Sequence, residues 1–431
     1  MIEKLLETAK RKADSAEVFL EETSEIAVSF ESDILKSVER KNAFGLGLRV
    51  IHEGRIGFSS STDPHRIDEM VDMAVACSRF GKEIQFEFPG NAEICDVSTF
   101  DPAIETFSPE IAVQEGNRTV EMLKELYPKG LTYTEFSSTI STVRIINSSG
   151  LDISYRDTDF SQYITLVIVD GDSILMINDG GHFGTLDMRT DKYVKNVADL
   201  AVKAETKAPK TSGLFPVIFT ARKMPELLKS IEMGVDGRRL LKGDSPLIGK
   251  SGEKILGNVT ITDDPCMNHA PGSRPFDDEG VFSKTNILFK DGVYQDFLFD
   301  LDTAAKTGHS PTSSATRGML SLPSIGTTNM ILSGGTSSLD EMISLTDTGI
   351  FVYGVLGGGQ SNLLAGDFSL NIMLGFLIKN GEIAGRLPDT MLSGNIYSAF
   401  GNISHMGSDV KPVGTIFTPD VMFAELPISG G

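Results

Sequence analysis

The chain has 431 residues, 40% hydrophobic and 23% charged, with a formal net charge of −20 at pH 7. That length exceeds what one hydrophobic core supports, so two domains or more are expected. The negative charge repels phosphate and argues against direct nucleic-acid binding, and there is no apolar run of about eighteen residues that spans a bilayer.

In chain order, MIEKLLETAKRKADSAE predicts an amphipathic helix over 2–13, with Leu5, Leu6 and Ala9 on one stripe. It lacks the apolar core and small-residue cleavage site of a signal peptide, so the cytoplasm is the expected location. Alternating strands follow, AEVFLEE and EIAVSFES, then a hairpin of AFGLGLRVI and IGFSSS turning on HEGR. Asp63 beside Pro64 predicts the N-cap and first turn of a helix over 65–80. A second helix is expected over 109–126, ending at Tyr127 and Pro128. The stretch 131–177 reads as strand throughout, with turns at NSSG and DGDS. After a helix at 192–207, KAPKTSGLF has linker composition, which divides the chain into domains 1–208 and 209–431.

The second half opens with the strand PVIFT and one helix over 222–241, weakened by Gly234 and Gly237. Strands dominate from there, with hairpin turns at Asp291–Gly292 and Asn380–Gly381. The predicted class is α+β: two domains, each a mostly antiparallel, strongly curved sheet with helices packed on it.

Several motifs point toward chemistry and stop short. GDSPLIGKSGEK ends like a phosphate loop, but five residues separate Gly243 from Gly249 and Gly252 interrupts the helix that should follow. Four residues are needed for successive N–H groups to wrap a phosphate. The glycine-rich 357–369 has no lysine and leads into a strand, which suits a bulged connection. There is no GxSxG elbow. The six histidines (His52, His65, His182, His269, His309 and His405) are too scattered for HExxH, HExxxH or HxH.

The densest ligand-type cluster is ITDDPCMNHAPGSRPFDDEG at 261–280, with Cys266, His269 and several carboxylates. Such a loop suits a metal or Ca²⁺ site by residue type, and suits Asp-capped turns equally well. The three cysteines Cys77, Cys95 and Cys266 are odd in number and include no CxxC pair, so neither a disulfide framework nor a zinc ribbon is expected.

Longer strings carry more information. The signature loop continues as VFSKTNILFKDGVYQDFLFDLDTAAKTG, and GDFSLNIMLGFLIKNGEI and LSGNIYSAFGNI follow. Together with ESDILKSVERKNAFGLGLRVIHEGRIGFSSS near the N-terminus, they resemble the TldD/PmbA family. Its members are named both as modulators of DNA gyrase and as peptide-maturation proteases. The resemblance implies two branches that pair as a heterodimer. The TldD branch is a zinc peptidase whose helix carries HExxxH, with a further cysteine ligand near the C-terminus. Here the corresponding helix reads MPELLKSIEMGVDG and no cysteine follows Cys266, so neither half of that zinc site transfers. The chain resembles the TldE (PmbA) branch instead.

The implied role is a non-catalytic subunit of a TldD/TldE-type metalloprotease complex acting on unfolded peptides. No catalytic residue, metal or cofactor is expected on this chain, zinc being expected on a TldD-like partner, and the dimer forms with that partner or with a second copy. Candidate peptide-channel or interface residues are Arg274, Asp277, Asp278, Glu279, Asn362, Gly366 and Asp367. Two other readings stand: a self-standing hydrolase using Cys266, His269 and carboxylates, and a regulatory binding protein of DNA gyrase.

Overall fold

The computed structural model describes residues 1–91, 95–171, 173–357 and 361–430. Parts of two stretches read above as turns or strand connections, residues 172 and 358–360, lie outside the described residues. The α+β class holds, and the sheets are predominantly antiparallel.

One six-stranded sheet is built from β1 (Ser15–Glu31), β2 (Ile34–His52), β3 (Arg55–Ser61), β4 (Leu131–Asn147), β5 (Asp152–Asp170) and β6 (Ser173–Phe183). Their spatial order is β3-β2-β1-β4-β5-β6, every pair antiparallel. Ser32–Asp33 and Glu53–Gly54 hold the positive φ that two-residue hairpins need on twisted strands. Strand alternation then gives the sheet two faces. On one, Val18, Val28, Phe136, Phe160 and Ile164 are buried under helices. These are α1 (Ile2–Ala9) and α2 (Ile67–Ser78) at one end, and α3 (Pro109–Leu126) and α4 (Thr190–Ala204) at the other. The opposite face carries Phe19, Val143, Ile145 and Ile153, which close against Phe276 of the signature loop.

The cap expected at Asp63 is displaced. Asp63 accepts from the His65 N–H at 2.9 Å, a local turn, and α2 is N-capped by Arg66 without a side-chain bond. Helix α3 occupies the expected stretch because Ser108 caps it and Pro109 fills its first turn.

The C-terminal half centres on a closed ring of strands. β7 (Gly213–Phe219), β14 (Thr348–Gly357), β15 (Asp367–Lys379), β17 (Thr390–Asn395) and β21 (Val421–Gly430) pair in the order β14-β7-β21-β17-β15, and β15 pairs back onto β14. β16 (Glu382–Arg386) and β18 (Ile403–Met406) attach to β15 and β21. The pairing of β14 with β7 is parallel. A second sheet runs β10 (Val293–Tyr294), β9 (Asn286–Lys290), β8 (Ile261–Asp263), β13 (Met330–Leu332), β20 (Ile416–Thr418) and β19 (Lys411–Val413), with β13 and β20 parallel. β11 (Ala315–Thr316) and β12 (Ser324–Ile325) form a small ribbon. Short helices α7 (Leu301–Thr307), α8 (Leu339–Ser344) and α9 (Ile396–Gly401) fill the connections.

The helix expected over 222–241 is two helices, α5 (Met224–Gly234) and α6 (Gly237–Lys242). Gly234 packs against the Tyr397 hydroxyl, where a Cβ would sit 2.6 Å away, and the chain leaves the helix there. Asp236 turns to an extended conformation and caps α6 through the Arg238 N–H at 2.8 Å. Met224, Leu227, Leu228 and Ile231 of α5 are buried in the large core shared with the strand ring. Full burial of four such side chains contributes on the order of 6–12 kcal/mol of gross hydrophobic stabilisation.

Candidate functional site

Two places combine burial, charge and shape: the seam where the signature loop meets the N-terminal sheet, and a cavity beside α5. In the seam, the loop is held by its own turns. Asp277 accepts from the backbone N–H groups of Glu279, Val281 and Ala315 at 2.9–3.0 Å. Asp278 accepts from the Arg317 N–H at 2.7 Å, and Arg274 approaches it at 3.6 Å. Gly272 allows its chain to touch Thr328, whose carbonyl oxygen would be 2.3 Å from any Cβ.

Glu279 crosses the seam. Its Oε1 accepts from Arg49 Nη1 at 2.6 Å and its Oε2 from the Leu301 N–H at 2.7 Å. Arg49 also donates to both oxygens of Glu17 at 2.8 and 2.9 Å, and Arg317 donates to Glu17 at 2.9 Å while lying over the Phe19 ring. All four side chains are at most 3% exposed. Burial opposes the charge on Glu17, yet Arg49 and Arg317 together hold its carboxyl below the usual range. Burial raises Glu279 despite Arg49, and pushes Asp277 up to about 7 against the pull of Arg274. Beyond this network, burial pushes Glu21 up to about 7, with Asp278 and Asp157 adding repulsion. Asp157 rises to about 6 through burial and neighbouring Asp159, which itself contacts His182.

The structure therefore places Arg274, Asp277, Asp278 and Glu279 together in a buried seam. Asn362, Gly366 and Asp367 lie apart from it, at a single 3₁₀ turn (Leu363–Ala365) packed near α5. Asn362 caps that turn, Gly366 closes it at φ +89°, and Asp367 accepts from Asn395 at 2.9 Å. Glu17, Arg49 and Arg317 escape a sequence reading because no local motif links a strand residue to partners hundreds of positions away.

The cysteine expectation is corrected. Cys95 and Cys266 are paired as a disulfide with Cα atoms 6.4 Å apart, leaving Cys77 exposed and free. The connection around residue 98 runs along the signature loop, with the His269 N–H donating to the Ser98 carbonyl at 2.7 Å and the Ser98 N–H to Asn268 at 2.8 Å. That contact brings together sulfurs 171 positions apart. It also removes the Cys266 thiolate that a self-standing hydrolase at Cys266 and His269 requires.

Beside α5 lies a cavity of about 410 Å³. Glu232 and Asp236 supply two carboxylates, Thr316, Thr327 and Thr415 hydroxyls, and Met233, Leu298 and Ile325 apolar wall. Glu232 accepts from the Thr327 hydroxyl at 2.7 Å, and burial raises its pKa and that of Asp236.

Family models match three consecutive parts of the chain: PmbA/TldA metallopeptidase domain 1 over residues 16–78, the central domain over 109–205, and the C-terminal domain over 212–430. This chain belongs to the PmbA/TldD metallopeptidase family. It is 27% identical over 441 residues to the metalloprotease PmbA of Escherichia coli O157:H7, covering 99% of this chain and 94% of that protein. It is 31% identical over 228 residues to a TldD homolog of Buchnera aphidicola, covering 52% and 47%. The PmbA/TldD fold is also shared with the crystal structure of TldE from Thermococcus kodakarensis, at TM-score 0.92 and 24% identity over all of both chains. A protein from Thermotoga maritima described as a putative modulator of a DNA gyrase superposes at TM-score 0.91, with 24% identity and 99% coverage of each.

A metallopeptidase family implies a metal, which needs nitrogen, sulfur or carboxylate donors at its helix. The helix reads MPELLKSIEMG, with no histidine or cysteine. Among the described residues no three His, Cys, Asp or Glu side chains converge as a metal requires. These residues do not fit a zinc centre of three or four ligands. Also among the described residues, no helix is long and apolar enough to cross a membrane.

Proposed function

We propose that this chain is the TldE/PmbA-type subunit of a two-subunit metalloprotease, working beside a TldD-like chain that brings the zinc. The observation carrying this reading is the residue content of α5. A chain that matches all three family domains has aliphatic, Lys, Ser and Glu side chains on the helix where the peptidase branch carries its metal ligands. The partner's metal would polarise the scissile carbonyl and activate water. This chain would hold the dimer and line the path of an unfolded peptide, which strand edges can grip through backbone hydrogen bonds with little sequence preference.

The test is co-expression with a TldD-like subunit from the same genome and assay of cleavage of an unfolded peptide. Activity of the pair well above that of the TldD-like chain alone is expected. Full activity without this chain overturns the proposal.

A further inference from the structure

The chain between α2 and α3 is laid across the seam as a strap. Among the described residues, 84–101 carry no helix or strand. On the sheet side the strap is tied at two points. The Asn147 side chain donates to the Pro89 carbonyl at 2.8 Å. Further on, the Thr99 hydroxyl donates to the Arg156 carbonyl at 2.6 Å, and the Thr158 N–H to the Thr99 carbonyl at 3.2 Å. Between the sheet and the signature loop, Phe88 lies 5.3 Å from the Arg49 guanidinium, and Pro89 meets Gly280. The strap therefore covers the ion network that joins the two halves.

On the loop side the ties are fewer. They are the Cys95–Cys266 disulfide and the two hydrogen bonds that Ser98 makes with Asn268 and His269. Such hydrogen bonds are individually weak once water competes for the same groups. The disulfide is thus the dominant tie, and it is a covalent cross-link between the N-terminal and C-terminal halves. With three cysteines, the chain has room for one such bond.

Folding does not call for it. Disulfides staple small domains that cannot build a sufficient core, whereas here one large core is built from residues 208–428 and another from residues 2–146. Both cysteines are half-buried, so a small thiol can reach the sulfurs without unfolding either half. Accessible disulfides are the labile ones.

We infer that the Cys95–Cys266 bond is a reducible latch: closed, it fastens the strap and the signature loop to each other; opened by a dithiol reductant, it lets the strap lift and loosens the seam beneath. A thiolate of the reductant attacks one sulfur and a mixed disulfide forms. The reductant's second thiol then displaces the remaining protein sulfur. Two electrons and two protons pass to the protein, which ends with two thiols, and the reductant ends as an intramolecular disulfide. The inference concerns this chain alone, so its outcome is separate from whether a zinc-bearing partner exists.

Hydrogen exchange with mass spectrometry on the full chain, in buffers of reduced or oxidised dithiothreitol, tests it. Native reduction should make two further cysteines alkylatable while the circular dichroism stays unchanged. Peptides spanning 95–101 and 264–271 should then exchange at least about tenfold faster, while those from β4 and β15 keep their protection. Oxidised dithiothreitol should restore the slow exchange. Cys266→Ser should exchange at the fast rate in both buffers. A bond that resists reduction until urea unfolds the chain, unchanged exchange at 95–101 and 264–271 after reduction, loss of protection in β4 and β15 along with them, or three free thiols in the oxidising buffer overturns the inference.

Discussion

Replacing Arg49 by methionine tests the buried seam most severely. Met has similar length and no charge, so the main change is electrostatic. The native guanidinium makes three hydrogen bonds to two carboxylates, Glu17 and Glu279, and none of these side chains is more than 3% exposed. After the substitution Glu17 keeps Arg317, whereas Glu279 is left with the Leu301 N–H alone. Breaking a buried pair from one side costs about 3–5 kcal/mol, because the remaining charge has no compensation. Glu279 should then take up a proton, so the cost is larger at neutral pH than near pH 5. Adding Glu279→Gln to Arg49→Met should recover at least about 1 kcal/mol, although Glu279→Gln alone destabilises the native chain. Urea denaturation followed by circular dichroism, on the wild type, both singles and the double at two pH values, measures all of this. A cost below about 1 kcal/mol for Arg49→Met, or strict additivity of the two changes, refutes the idea that this network locks the halves together.

Three further outcomes follow from particular contacts. Asp157 is raised from its ordinary 3.8 to about 6, so its favourable contribution exists at low pH and is lost as pH rises toward about 6. Asp157→Asn should therefore stabilise by up to about 3 kcal/mol above that pH, with the gain vanishing near pH 3.5; equal gains at both ends would contradict the assignment. Gly272→Ala forces a methyl group onto the Thr328 carbonyl and should lower the unfolding free energy from urea denaturation by about 1–3 kcal/mol, whereas unchanged stability would show that the loop gives way. Thiol titration of the denatured, unreduced chain should find one reactive cysteine, Cys77, and three only if Cys95 and Cys266 are unpaired.

Legibility followed distance along the chain. The turns at Glu53–Gly54, Asp291–Gly292 and Asn380–Gly381 were readable because glycine and its neighbour supply the positive φ locally. Helix α3 was readable because its cap and first-turn proline are adjacent. The break between α5 and α6 was not, since the Tyr397 hydroxyl that Gly234 accommodates lies far downstream. The same reason hid the pairing of Arg49 with Glu279, 230 positions apart, and the return of β15 onto β14. The α5 cavity was hidden too, because its walls come from α5, the β11–β12 ribbon and the loop before β20. Glutamate and aspartate four apart look like an ordinary solvated helix face until those walls are in place.

The ring in the C-terminal half has a temporal consequence. β21 (Val421–Gly430) sits inside it, between β7 and β17, and β7 begins at Gly213. During synthesis β7, β14, β15 and β17 emerge first and wait with unsatisfied edges until residues 421–430 have left the ribosome. The strand pairing of the N-terminal sheet does not wait in this way, since all six of its strands lie before residue 184, although its faces close only against later residues such as Phe276 and Phe351. One sheet is thus able to pair its strands as it is made, while the ring closes only when residues 421–430 arrive.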